Sequence, residues 1–457
     1  MMPQVRIVDV SYVAVPADGA VLPPEPIKLN AMEAQWMKLP LLQHLLFFDG
    51  EQLPPFNAVV HSLKSSLAAT LATYSPLAGK LVHLADTGDV ALRCSSDDNG
   101  VKFVVAESDA DARRLAGDEE HDARTFERLA PAVDMSALPA PVLAVQATRL
   151  EGGGVAVGVT VHHGVADGRS LWRFGDDDAP LTPAPVFDRS RVRLPGGEEL
   201  ARSALRRYAP NLPLVRTLPQ KEFLSLAIAS TVVLKDRLKL TRRTFSLDAG
   251  HIEQLKQRIV RLSEARGGGA PLLRHPPSTF VAAMALIWTC CVRCRPSLPP
   301  DVFLSFSADA RKRLGPPAGA DYFGSCLSGC LPRLPARELR YSEAEHAALA
   351  AAASAVQRAI REMAEDPVAG WDVFKHLEGV PRDRLVNVSG SWSFRAYDAA
   401  DFGWGRPRRT ELARMIRDGH VALVRARDGE GVQVSVAMLD RAHMDAFKSE
   451  LLKQIAQ

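Results

Sequence analysis

The most constraining feature of this chain is a hairpin that ends in a polar knot. Residues 142–150 alternate apolar and polar side chains. They turn through Glu151-Gly152-Gly153-Gly154 and return as the β-branched run 154–161. Glycines between two alternating runs predict a β-hairpin. Its second strand delivers His162-His163-Gly164-Val165-Ala166-Asp167-Gly168 toward the interior. Polar groups at the end of an apolar strand need partners or a purpose, because unpaired burial is costly. An imidazole titrates closest to neutrality, so His163 is a candidate general base. Asp167, four residues on, would fix the ring or hold the turn. Taken alone, the same residues also fit a satisfied core histidine beside an Asp-Gly turn.

A chain of 457 residues exceeds one ordinary core and points to two or three domains. With 47% hydrophobic and 24% charged residues, the composition is that of a globular protein. A net charge of +3 gives no global pull toward nucleic acid or membrane. Any anionic ligand must therefore meet a local basic patch. No uncharged apolar run reaches the roughly 18 residues of a membrane span. Residues 1–7 lack the apolar core of a secretory signal. Of the six cysteines, Cys290, Cys291 and Cys294 sit in an apolar helical run, and Cys326 and Cys330 flank Leu-Ser-Gly. Without histidines nearby, these read as reduced, buried thiols, with no metal expected and a cytoplasmic location.

Along the chain, strands are expected at 5–13, 101–106, 238–247 and 302–307. A hairpin is expected at 420–427 and 432–438. Residues 57–74 read as an amphipathic helix with Val60, Leu63, Leu67, Leu71 and Tyr74 on one face, stopping at Ser75-Pro76. A short charged helix is expected at 109–116, and further helices at 249–264, 278–294 and 342–365, with Ser278 and Ser342 as N-caps. The helix after the knot, 169–174, is cut short by Gly175-Asp176-Asp177-Asp178. The Pro-, Arg- and Asp-rich stretch that follows suggests a surface crossover. The expected fold is α/β: an N-terminal domain at 1–175, a linker at 176–235 and a C-terminal domain at 236–457.

A second motif, Asp401-Phe402-Gly403-Trp404-Gly405, precedes Arg406-Pro407-Arg408-Arg409. Together with the histidine knot, with Tyr74–Gly79, and with Asp309-Ala310-Arg311 ahead of Tyr322-Phe323-Gly324-Ser325-Cys326, the chain resembles the BAHD family of plant acyl-CoA-dependent acyltransferases. The resemblance implies two chloramphenicol-acetyltransferase-like domains of mixed sheets and flanking helices, with an active-site channel at their interface. It implies a monomer that uses no cofactor beyond the acyl-CoA co-substrate. His163 would be the general base, and Asp167 would point away from substrate and pair with an arginine. Asp401, with Gly403, Trp404 and Gly405, would form a structural loop tied to Arg311. A thioester is already activated, so one base, positioning and oxyanion stabilisation suffice. Lys312, Arg313, Arg406 and Arg408 are candidate contacts for CoA phosphates.

Tyr322–Cys326 resembles the Tyr-Phe-Gly-Asn-Cys signature of the anthocyanin and flavonoid glycoside clade, many of whose members use malonyl-CoA; Ser325 stands where Asn is usual. Ser391-Trp392 instead resembles hydroxycinnamoyl-transferring members. Trp392 is thus expected to donate to the thioester oxygen or to wall an acyl pocket. The resulting expectation is malonyl transfer, with hydroxycinnamoyl as the alternative, to a sugar hydroxyl of a phenolic glycoside. Competing readings are N-acylation of an aromatic amine or polyamine, and a catalytically weak CoA-ester-binding relative.

Overall fold

Two large mixed sheets organise the molecule. The computed structural model describes residues 3–17, 22–39, 41–95, 98–174, 183–215, 239–265, 272–295, 300–340 and 347–456. The first sheet runs in the order Val5–Val13, Val101–Asp111, Leu143–Glu151, Val155–His162, Leu41–Phe48, Arg409–Leu412. The second runs Leu327–Cys330, Asp301–Asp309, Leu385–Gly390, His420–Arg425, Val432–Met438, Thr241–Leu247, His121–Asp122. Arg333–Pro335 also pairs with Asp301–Asp309.

The predicted hairpin is present, with Val155 opposite Arg149 and Val161 opposite Leu143. Gly152 and Gly153, in the three-residue loop between Leu150 and Gly154, take φ of 79° and 92°, left-handed conformations that glycine adopts without strain. Leu41–Phe48 flanks the returning strand on its other side, so the strand is central and carries the knot inward. The amphipathic helix is Phe56–Thr73, and it buries Val59, Leu63, Leu67 and Leu71. Val59 thus takes the buried position expected of Val60. The charged helix shrinks to Ala112–Leu115, because 109–111 continue the preceding strand.

Ser278 caps Thr279–Arg293 by accepting from the Val281 N–H. That helix is apolar on every side and is buried between the second sheet and Ala347–Glu365. Ser342, the Gly175–Asp178 interruption and residues 216–238 of the expected linker lie outside the described residues. The described part of that connection, 183–215, holds the helix Gly197–Tyr208, which packs on the short helix Ala31–Ala34.

Chain order and sheet membership do not coincide. Arg409–Leu412, from the second half, pairs antiparallel with Leu41–Phe48 of the first sheet. His121–Asp122, from the first half, pairs with Thr241–Leu247 of the second. Such short segments carry too little periodicity to be read from sequence alone. Residues 310–326 likewise pack Ala310, Leu314, Tyr322 and Phe323 into the core shared with the first sheet.

Candidate active site

At the end of the central strand the two histidines part. His162 is fully buried. Its Nδ1 accepts from the Gly164 N–H at 3.0 Å, closing the turn, and burial lowers its pKa to about 3. His163 keeps part of its surface open to a large cavity, and its Nδ1 is buried without a hydrogen-bond partner among the described residues. Nε2 is therefore the nitrogen that meets the cavity. The ring lies flat on the indole of Trp36, centroids 3.6 Å apart and planes within 4°. Phe374 meets the edge of the same indole at 5.3 Å. Burial lowers the His163 pKa to about 4, only partly offset by its own backbone carbonyl and by Asp167. The ring is thus a neutral acceptor at physiological pH, and the stacked indole stabilises the cation that forms when it takes a proton.

Asp167 does not hydrogen-bond the histidine. Its buried carboxylate accepts from the Ser170 and Cys326 N–H groups at 2.9 and 3.2 Å, and from Arg311 Nη1 and Nη2 at 2.8 and 3.0 Å. Burial pushes its pKa up, but the Arg311 charge and these bonds outweigh that and hold it below the usual carboxylate value. Arg311, itself buried, also donates to the Gly324 and Tyr322 carbonyls, to Ser170 Oγ and to Asp309. Nearly every donor it has is used, so this pair ties the turn bearing His163 to the 309–326 segment.

A second buried clasp lies alongside. Glu33, N3 of a capping box begun by Asn30, accepts from the Tyr322 hydroxyl at 3.0 Å and from Arg189 Nε at 3.1 Å. Arg189 also donates to the Phe323 carbonyl at 2.7 Å. The connecting segment is thereby pinned to both halves. A third joins the crossing strand Arg409–Leu412 to the second sheet, where Glu411 pairs with Arg242 and accepts from Thr244 and Ser435.

The cavity before His163 has a volume of about 1590 Å³ and is lined from both halves. Its floor is one face of the second sheet. Register aligns Ser305 with Asn387 and Asn387 with His420; Ser389 aligns with Ala422, and Ala422 with Ser435. Alternate residues Val302, Leu304, Val386 and Val421 pack into the second core instead. The floor therefore presents hydroxyls, amides and a histidine at two-residue spacing. The alternation Ser305-x-Ser307-x-Asp309 and Asn387-x-Ser389-x-Ser391 was the sequence signal for it. The buried His420 is neutral, its pKa lowered to about 3 by burial and by Arg417 and Arg242. Its Nδ1 accepts from the Ile416 N–H, so Nε2–H faces Ser389 Oγ at 3.0 Å and leaves that hydroxyl free to donate. Trp36, Glu33 and this floor were absent from the sequence-based site.

Several expected residues sit elsewhere. Asp401 does not pair with Arg311, whose fork is taken by Asp167 and Asp309. It is exposed and accepts from the Gly403 and Gly405 N–H groups at 3.0 and 3.1 Å, capping its own loop. Gly403 and Gly405 have φ of 88° and 91°, and nothing crowds a Cβ at Gly403, so glycine serves conformation there rather than tight packing. Phe402 and Trp404 pack on Phe48, and the chain then enters the crossing strand. Trp392 does not line the cavity; it lies under the Arg425 guanidinium, 5.0 Å from its ring centroid, against the second core. Of the cationic runs, Arg313 lines the main cavity, whereas Arg406 and Arg408 line a separate recess of about 340 Å³ with Asp49, Arg113 and Arg427. Lys312 is exposed and lines neither.

The model of the Transferase family matches residues 20–453, nearly the whole chain. The protein is a member of this family, the BAHD acyltransferases. It is 30% identical over 455 residues, 95% of each chain, to malonyl-CoA:anthocyanidin 5-O-glucoside-6″-O-malonyltransferase of Arabidopsis thaliana. It is 28% identical to phenolic glucoside malonyltransferase 1 of Bemisia tabaci, covering 98% of this chain and 96% of that one. Agmatine coumaroyltransferase of Arabidopsis thaliana is 26% identical, covering 98% and 99%. Among solved structures, vinorine synthase superposes with a TM-score of 0.68 at 19% identity, covering 99% of this chain and 98% of that one. TRI101 of F. graminearum, complexed with coenzyme A and T-2 mycotoxin, gives 0.65 at 14% identity, covering 94% and 98%. This BAHD protein is an acyltransferase with the mixed α/β fold of those structures.

Proposed function

We propose that the protein transfers a malonyl group from malonyl-CoA to a sugar hydroxyl of a phenolic or flavonoid glycoside, with His163 as the base. The observation that carries this reading is His163 Nε2 opening from the Trp36 stack into a cavity floored by hydroxyl and amide side chains. A lattice of alternating donors and acceptors suits a polyhydroxylated sugar. Leu41, Trp172, Phe280, Phe306 and Phe394 supply apolar surface for an aglycone.

His163, as the Nδ1–H tautomer, takes the proton of the acceptor hydroxyl at Nε2 as the oxygen attacks the thioester carbonyl. The resulting oxyanion is stabilised by hydroxyl donors of the floor rather than by Trp392. Collapse breaks the C–S bond, and the imidazolium returns its proton to the departing thiolate. Asp167 and Arg311 act through the backbone, holding the turn in register and touching neither substrate. No cofactor beyond the thioester enters these steps. The protein acts as a monomer in this scheme.

The experiment is turnover of the purified protein with malonyl-, acetyl- and coumaroyl-CoA against neutral phenolic glucosides, aromatic amines and agmatine. Ester formation on the glucose moiety, fastest with malonyl-CoA, is expected. Exclusive amide formation on agmatine or an aromatic amine would replace this reading with N-acylation.

A further inference from the structure

Arginines crowd the cavity, and most are already committed. Arg169 pairs with Asp309 at 2.7 Å, Arg313 donates to the Asp309 carbonyl, Arg173 to the Ala320 carbonyl, and Arg207 pairs with Glu378 at 2.6 Å. Arg382 and Arg417 differ. Both side chains line the cavity without a hydrogen bond or ion pair among the described residues, as does Arg395 at the other end of the same strands, but only these two stand next to each other. Topology places them together. Arg382 lies in the single turn that enters Leu385–Gly390, and Arg417 stands three residues before His420–Arg425. These strands are parallel neighbours with Asn387 opposite His420, so both arginines project from the same end of the polar floor.

Carboxylates close in sequence do not neutralise them. Asp418 is held by Arg295 at 2.8 Å and by the Leu439 N–H at 3.1 Å. Glu378 is spent on Arg207, and Asp383 is exposed and does not line the cavity. Arg417 feels burial first and the Arg382 charge second, and together they lower its pKa to about 10. The exposed Arg382 and the part-buried Arg417, at the same end of the floor, repel each other. An anion that bridges them removes that cost and gains charge-assisted, bidentate hydrogen bonds.

We propose that Arg382 and Arg417 form a binding site for a carboxylate carried by one of the two substrates, either the distal carboxylate of a dicarboxylic acyl thioester or that of an acidic acceptor such as a glucuronide. The Asn387 and Ser389 side chains beside the pair hold the neighbouring polar atoms of the same group. The kinetic form of this inference rests on the acyltransfer reading above; the binding form does not.

The test compares wild type with Arg382→Gln, Arg417→Gln and the double variant. Arg395→Gln is the control, because Arg395 is a cavity cation at the opposite end of the same strands, where the Phe394 carbonyl accepts from the Arg425 N–H. Turnover is measured with malonyl-CoA and acetyl-CoA, each against phenyl β-glucoside and phenyl β-glucuronide. Titration calorimetry with malonate and glucuronate is run alongside. The expected result is a fall of about 10- to 100-fold in one preference ratio on loss of the pair, the size of a charged hydrogen bond. A fall in the malonyl-to-acetyl ratio assigns the carboxylate to the acyl group. A fall in the glucuronide-to-glucoside ratio assigns it to the acceptor. An equal loss in all four pairings overturns the proposal, because the arginines would then hold phosphates common to every CoA donor. Unchanged ratios overturn it as well. If wild type turns over none of these pairs, calorimetry decides: anion binding lost only in the 382 and 417 variants supports the site, and no binding to wild type refutes it.

Discussion

The knot and the Asp401 loop share one vocabulary, an aspartate and glycines in a turn beside an aromatic, and they use it oppositely. Asp167 is buried, and its partners lie far away in sequence, on Arg311 and the Cys326 N–H. Asp401 is exposed and, among the described residues, bonds only to glycines two and four residues on. The first joins distant segments around the cavity; the second shapes a local turn that feeds the strand Arg409–Leu412. A motif's residue types state what a turn needs, while burial and the distance to its partners state what the turn does. Isolated buried ion pairs are poor stabilisers, but breaking one leaves an uncompensated charge. The energetic weight of the two aspartates should therefore differ severalfold.

The largest effect is expected at the clasp. Asp167→Ala strands the buried Arg311 cation and should cost about 3–5 kcal/mol of unfolding free energy in urea titrations, with a comparable collapse of turnover. A wild-type urea midpoint would remove the distinction between the two loops.

Acid should expose the next difference, between the histidines and Asp167. The pKa values of His162, His163, His44 and His420 fall to about 3 to 4, below the ordinary imidazole value, so below that ordinary value the unfolded chain binds more protons than the folded one. Stability should decline as pH falls from about 6.5 toward 4. Asp167, held below the carboxylate range, gives up its share only at still lower pH. A flat unfolding profile between pH 6.5 and 4 contradicts the buried, neutral histidines. By the same reasoning, the acid limb of kcat/KM belongs near pH 4 rather than near 6.5.

Trp36→Phe keeps a ring under His163 but weakens its attraction for the imidazolium. We expect kcat/KM to fall roughly 5- to 30-fold, corresponding to about 1–2 kcal/mol, with a small change in melting temperature. Retention of full activity would reduce Trp36 to packing. The smallest effect is expected at Asp401→Ala, where two exposed backbone bonds are lost, as in a helix cap: about 1 kcal/mol. A loss as large as at Asp167 would mean that the loop carries more than its own turn.

These contrasts also mark what the sequence could express. The hairpin, the amphipathic helix Phe56–Thr73, the buried helix Thr279–Arg293 and the family motifs were legible because periodicity and turn chemistry are local. Arg311 was correctly singled out, yet given to the wrong aspartate, because pairing across 144 residues is set by topology, not spacing. The crossing strand Arg409–Leu412 is four residues long and shows no alternation to read. Trp392 carried a motif's expectation, but Arg425 and the second core claim its indole. The Trp36 stack needed the fold itself, since 127 residues separate the two rings in the chain.

The most direct measurement is the turnover of His163→Ala with the best CoA thioester and acceptor pair, beside its melting temperature and its affinity for that thioester. General-base catalysis by His163 predicts a loss of about 10²- to 10⁴-fold in kcat with folding and thioester affinity close to wild type. Wild-type-like turnover in this variant would contradict the account.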